Sequence, residues 1–135
     1  AGWRGLAGGV LEATLAAVCE LAGQPPEAIE AWLGPCIGPT QFEVGADVLH
    51  AFGANPAALT DSARFTRRIG TGEEPKWLAD LAGLARDRLA GAGLVHLQGN
   101  DGSAAWCTVT NAQRYFSYRR DRHTGRMAAL IWRSA

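Results

Sequence analysis

Residues able to bind an anion lie near the beginning of the 135-residue chain. The opening segment, Gly2-Trp3-Arg4-Gly5, starts a glycine-rich run that continues to Gly9. Glycines let the backbone approach a ligand closely, and a helix N-terminus offers free N–H groups to a phosphate. Arg4 adds a permanently charged guanidinium that suits phosphate or carboxylate. The run therefore predicts an anion site, although close packing of a helix on a sheet would explain the same glycines.

A second candidate is the closing segment, Tyr115-Phe116-Ser117-Tyr118-Arg119-Arg120-Asp121. Aromatic rings can sandwich a purine, and guanidinium groups can bind a phosphate or the edge of a ribose. The alternative is an exposed strand edge on which Asp121 pairs with an arginine, an arrangement that contributes little energy.

Nucleophilic chemistry has one candidate, Cys36 in the turn Gly34-Pro35-Cys36-Ile37-Gly38-Pro39. A nucleophilic cysteine needs a base, and the three histidines His50, His96 and His123 stand in no familiar catalytic context. We predict that Cys36 is structural and keep a cysteine hydrolase as the alternative. The three cysteines form no CxxC pair and the histidines no HxH, HxxxH or HExxH motif, so the sequence predicts no metal ligands.

Composition describes an ordinary globular protein, with 47% hydrophobic and 19% charged residues. Thirteen Lys and Arg residues balance thirteen Asp and Glu residues, so no net charge attracts nucleic acid or an anionic membrane. No apolar run is long enough to cross a bilayer. We expect a cytoplasmic protein with neither nucleic acid nor membrane as partner.

The elements that must position these residues alternate between helix and strand. Hydrophobic periodicity predicts helices over 6–21, 44–52 and 76–91, and strands over 31–34, 94–97, 106–110 and 127–132. The range 54–75 shows no period and is predicted to be a long loop. Together they predict one α+β domain in which Trp77, Leu81 and Leu84 pack the helix 76–91 across a mixed sheet.

Several short motifs, taken in order, carry a family resemblance. They are the opening segment, the Cys36 turn, the closing segment, and Phe42-Glu43-Val44-Gly45, Leu78-Ala79-Asp80 and Gly125-Arg126-Met127-Ala128. This order resembles the laccase-domain or YfiH-like family, formerly labelled polyphenol oxidases and now described as purine nucleoside phosphorylases. The resemblance covers essentially the whole chain and reaches the second half of the family fold.

The resemblance implies a four-layer α/β/β/α sandwich, of which residues 1–135 would form a single domain that is its C-terminal portion. It implies a zinc enzyme that cleaves adenosine, inosine, guanosine and methylthioadenosine with phosphate, and that also deaminates adenosine. The family's zinc ligands (His, Cys and His) would all precede Ala1, so this chain would supply none. A copper-dependent polyphenol oxidase is the alternative that the older label implies.

Within the matching motifs, residue type assigns candidate roles. Arg4, Arg119 and Arg120 are the candidates for the anion, and Phe116 or Tyr118 for the base. We expect the Arg4 and Arg119 side chains to converge.

Without the upstream ligands, we expect the chain to be inactive alone. It should expose an apolar surface, and should self-associate or bind the missing N-terminal half. A non-catalytic module that binds purine or phosphate is the competing hypothesis.

Overall fold

The computed structural model describes residues 2–58, 62–68 and 74–131. Its α-helices are α1 (Trp3–Ala7), α2 (Val10–Ala22), α3 (Ala46–Ala51), α4 (Leu81–Gly91) and α5 (Tyr118–Asp121). Its strands are β1 (Glu30–Leu33), β2 (Glu43–Val44), β3 (Phe65–Arg68), β4 (Lys76–Ala79) and β5 (His96–Gly99). Short 3-10 turns cover Pro26–Ala28 and Ala104–Trp106. The predicted α+β class is confirmed.

Glycines determine where the first helices begin and end. The predicted helix 6–21 is present but divided, because Gly9 adopts a left-handed conformation with φ of 85° between α1 and α2. Gly23, with φ of 61°, then ends α2. The predicted helix 44–52 is shorter than expected, since Val44 belongs to β2 and only Ala46–Ala51 are helical.

Among the described residues the strands form two separate sheets, one parallel and one antiparallel, so the prediction of a mixed sheet is wrong for this part of the chain. One sheet is the parallel pair β1–β5, in which Trp32 lies opposite Gln98. The other is antiparallel in the order β2-β4-β3, with Trp77 opposite Val44 on one side and Arg67 on the other.

The predicted helix 76–91 is wrong in its first turn. Lys76–Ala79 form β4, the central strand of the antiparallel sheet, and the helix begins at Leu81. Asp80 marks the change, because its Oδ1 accepts a hydrogen bond of 2.8 Å from the Gly83 amide and so caps α4. Leu81 and Leu84 are buried as expected, and Trp77 is buried in the strand.

Two predicted strands near the end of the chain are also absent. Residues 106–110 form the end of a 3-10 turn and further turns. The backbone of Cys107 forms one isolated parallel β-bridge with the backbone of Cys36. Residues 127–131 have no regular structure, and Trp132 lies outside the described residues. The predicted loop 54–75 contains β3, while 59–61 and 69–73 lie outside the described residues.

Helix α4 joins two hydrophobic clusters. Its first half packs Leu81, Leu84 and Ala85 into the larger cluster, with Leu6 of α1, Phe42 and the antiparallel sheet. Leu89 packs with Leu15 and Leu94 in the smaller cluster, under the parallel pair. Within the ranges that the structure describes, no helix has the length and apolar composition needed to cross a membrane.

Candidate functional site

A cavity of about 950 Å³ brings the two ends of the chain together. It lies beside the first half of α4, and its size is within the range of small-molecule sites. The opening segment and α1 contribute Gly2 and Leu6, and the closing segment contributes Tyr115, Phe116 and Tyr118. The other lining residues are Leu11, Trp32–Cys36, Leu81, Ala82, Ala85, Asn100, Arg114 and Thr124–Ala129.

Aromatic rings form much of the cavity wall. Trp32, Phe116 and Tyr118 are each more than half exposed, so their ring faces are accessible. Trp32 is held edge-on by Trp106, with 5.6 Å between ring centroids. Gly125 packs against the ring of Phe116 so closely that a Cβ there would lie 2.8 Å from Cε2. Accessible flat rings of this kind suit a planar heterocycle.

Cys36 forms the polar part of the wall together with Asn100. The buried Asn100 side chain donates hydrogen bonds to the Gly34 carbonyl (3.1 Å) and to the Cys36 Sγ (3.3 Å). Its Oδ1 accepts one from the Gly102 amide. Burial raises the pKa of the Cys36 thiol to about 11, so the thiol is protonated at neutral pH. A protonated thiol is a poor nucleophile, which argues against a cysteine hydrolase.

Cys107 is buried beside the Cys36 turn and has a packing role. The Gly38 amide donates a hydrogen bond of 3.2 Å to its Sγ, and a Cβ on Gly38 would lie only 3.0 Å from the Cys107 Cβ. Burial would raise the pKa of this thiol, but hydrogen bonds from Thr110, Gly38 and Val109 outweigh that effect and lower it. All three cysteines are free.

The arginines predicted to bind the anion do not line the cavity. Arg4 lies over the ring of Trp3, 4.4 Å from its centroid. Arg119 donates a hydrogen bond of 3.0 Å to the carbonyl of Glu43 and lies over the ring of Phe42. The opening and closing segments line one cavity. That Arg4 and Arg119 converge and bind one anion together remains a prediction.

Arg120 is engaged in structural contacts. It forms a bidentate pair with Asp121, at 2.7 Å for each hydrogen bond, and donates to the carbonyls of Thr108, Val109 and Tyr115. These bonds fasten α5 onto the preceding turns. Its role in binding an anion also remains a prediction.

Two arginines that line the cavity, Arg114 and Arg126, were not among the predicted site residues. Arg114 precedes the closing segment, with its guanidinium 5.5 Å from the centroid of the Tyr115 ring. Arg126 follows Gly125, and its Nη1 donates to the carbonyls of Thr124 and Gly125. The basic cluster between Arg114 and Arg126 was visible in the sequence, but nothing in it indicated which guanidinium groups face the cavity.

No set of metal ligands accompanies the cavity. Among the described residues, no three His, Cys, Asp or Glu side chains lie close enough to hold a metal ion. His50, His96 and His123 are all exposed and belong to different parts of the fold. The described part of the chain therefore offers no site that fits zinc or copper.

Comparison with known proteins gives a consistent family. The chain is 50% identical over 132 residues to the purine nucleoside phosphorylase YfiH of Shigella flexneri and 49% identical to that of Escherichia coli K12. Each match covers 98% of this chain and 48% of the relative, so the chain spans about half the length of these proteins.

Comparison with solved structures leads to the same group of proteins. Neisseria meningitidis protein NMB0706 has a TM-score of 0.69 at 46% identity, over 90% of this chain and 44% of that one. YlmD of Geobacillus stearothermophilus has a TM-score of 0.70 at 29% identity, over 90% of this chain and 43% of that one. The family model described as multi-copper polyphenol oxidoreductase laccase matches residues 1–134, and the chain belongs to that family.

Proposed function

We propose that this chain is the C-terminal portion of a purine nucleoside phosphorylase, an enzyme that cleaves the bond between purine and ribose with phosphate. The observation that carries the proposal is the cavity, whose described lining combines accessible aromatic rings with two arginines and contains no Asp or Glu. The names of the Shigella and Escherichia relatives support the same reaction.

The cavity has the features that phosphorolysis requires. Phosphate must be held against the anomeric carbon of the ribose, and positive charge must stabilise the anion as the bond breaks. In this proposal the rings of Phe116 and Tyr118 contact the purine, and Trp32 faces the same space. Adenosine, inosine, guanosine and methylthioadenosine are the proposed substrates.

A metal and a second reaction belong to the same proposal. The family resemblance implies zinc, which, when bound, would supply an activated water for the deamination of adenosine. Because the described residues offer no ligand set, we propose that its ligands come from the part of the relatives that this chain does not span.

The direct test joins the chain to the unmatched half of the Shigella flexneri YfiH protein. We expect the fusion to release free purine from adenosine or inosine only when inorganic phosphate is present, and the chain alone to release none. Release by the fusion at the same rate without phosphate would contradict a phosphorylase.

A matched variant tests the role of the thiol. Cys36→Ala in the fusion should retain turnover, because a protonated thiol beside Asn100 contributes packing rather than attack. Loss of turnover, with unchanged nucleoside binding and folding, would favour the cysteine hydrolase instead.

A further inference from the structure

We propose that Arg114 and Arg126 form a site for a phosphate group in the cavity, in place of the arginines that the motifs favoured. This inference deepens the proposed function and rests on it for the identity of the substrate. It depends on which arginines face the cavity and which already have partners.

The first argument is the charge of the cavity lining. Among the described lining residues, Arg114 and Arg126 are the charged ones and none is Asp or Glu. The Cys36 thiol, which lines the same cavity, is protonated at neutral pH and adds no negative charge. The chain as a whole has no net charge, so a concave surface whose described lining carries two cations is a local feature. Such a surface attracts anions.

The second argument is that the guanidinium groups of Arg114 and Arg126 have N–H donors available for a ligand. Several other arginines are paired with carboxylates, namely Arg64, Arg68, Arg88 and Arg120. Neither Arg114 nor Arg126 has a carboxylate within 4.0 Å in the ranges that the structure describes. Arg126 uses Nη1 for two carbonyls and Arg114 lies over a ring, which leaves forked N–H donors that suit phosphate oxygens.

The third argument is that one stretch of the chain brings both arginines and an aromatic ring to the cavity lining. Arg114, two residues before Phe116, ends a turn in which its backbone amide donates a hydrogen bond of 3.0 Å to the Asn111 carbonyl. Gly125 packs against the Phe116 ring, and Arg126 is the next residue along the chain. Arg114, Phe116 and Arg126 all line the cavity, so a nucleoside that contacts the ring shares the cavity with both guanidinium groups.

The rival arginines lack these features. Arg4 and Arg119 stack on the rings of Trp3 and Phe42, outside the cavity lining, and Arg120 is neutralised by Asp121. The phosphate group could be a free phosphate or the phosphate of a nucleotide, since both present the same oxygens to a guanidinium fork.

The test is calorimetric titration of the 135-residue chain with inorganic phosphate, adenosine 5′-monophosphate and adenosine at one fixed ionic strength. Arg114→Gln and Arg126→Gln should each weaken phosphate binding by about tenfold. Arg122→Gln is the matched control, because it removes the same charge from the same segment outside the cavity lining. Arg4→Gln and Arg119→Gln should behave like that control. Arg114→Lys and Arg126→Lys keep the positive charge and should bind phosphate more tightly than the glutamine variants, and circular dichroism of every variant separates lost binding from lost folding.

The outcomes distinguish the inference from the proposed function. Loss of phosphate affinity in the 114 and 126 variants, but not in the control, supports the site even if the fusion shows no phosphorolysis. If only the nucleotide binds, and binds through these arginines, the site stands and the phosphorylase proposal fails. Phosphate that binds equally to all variants, loses affinity only in the Arg4 or Arg119 variants, or does not bind at all, overturns the site and leaves phosphorolysis to be decided by the fusion.

Discussion

At the scale of single residues, Cys36 shows how the surroundings of a side chain determine its chemistry. The sequence presents it as an exposed turn cysteine, which is a pattern shared by nucleophiles. In the fold, Asn100 donates to its Sγ, and burial raises the pKa of the thiol to about 11. The turn itself could be predicted, whereas its burial could not, because the covering residues come from distant segments.

The thiol should make stability depend on pH. Above about pH 9 the unfolded chain releases the Cys36 proton while the folded chain keeps it, so the free energy of unfolding falls as the pH rises towards 11. Below pH 9 both states are protonated and the effect vanishes. Urea titrations from pH 7 to 11 should show wild type losing stability relative to Cys36→Ala only in the upper part of this range. Parallel curves at every pH would contradict the raised pKa.

Gly125 is a second residue whose role becomes visible only in the fold. Gly125→Ala would place a Cβ 2.8–3.0 Å from the Phe116 ring, and the half-exposed ring should turn away into solvent. We expect weaker adenosine binding with a change in unfolding free energy within about 0.5 kcal/mol.

A double-mutant cycle gives the control for this prediction. If Gly125 acts through the ring, adding Gly125→Ala to Phe116→Ala should cause no further loss of adenosine affinity. Fully additive losses in a titration of the four proteins would show that Gly125 acts by another route.

At the scale of elements, local periodicity predicted the existence of most helices but misplaced several of their boundaries, most clearly the start of α4. Trp77 and Leu78 continue the apolar stripe of α4, so a helical period fits them, but pairing with β2 and β3 makes Lys76–Ala79 a strand. That pairing is non-local and leaves no trace in a window of the sequence. Asp80, which follows that strand, both caps α4 and pairs with Arg64.

Replacing Gly83 of α4 by alanine should have the opposite effect on stability to that usual for a glycine inside a helix. Replacing glycine by alanine inside a helix normally stabilises it by up to about 1 kcal/mol. A Cβ on Gly83, however, would lie 2.1 Å from Asp80 Oδ2 and 2.3 Å from Arg64 Nη1, inside the ion pair that covers the helix N-terminus. The two side chains must move aside, which disturbs the Asp80 cap, so Gly83→Ala should cost about 0.5–2 kcal/mol in unfolding free energy.

The same helix offers a matched control. Gly91 has nothing within 4 Å of an added Cβ, so Gly91→Ala should be neutral or slightly stabilising in the same denaturation experiment. If both variants stabilise the protein, the Asp80–Arg64 pair is not held as the structure shows.

At the scale of the whole molecule, the parallel pair β1–β5 has one packed face and one exposed face. Parallel sheets are normally covered on both faces. Here Ala31, Leu33 and Leu97 pack towards the smaller cluster, while Trp32 and Gln98 on the other face are exposed. The chain spans about half the length of its relatives, so we expect the remaining half to cover this face.

A binding experiment tests this expectation. The chain alone should bind a hydrophobic dye and self-associate in light scattering, and the separately expressed unmatched half of Shigella flexneri YfiH should suppress both. Trp32 is 55% exposed on the uncovered face, so Trp32→Ala should weaken binding of that half. Leu21, at the end of α2, is 88% exposed but is not on the sheet, and Leu21→Ala should leave binding unchanged. Equal weakening by both variants would show that the binding does not depend on the exposed face of the parallel pair. A monodisperse monomer that binds no dye would contradict an exposed docking face.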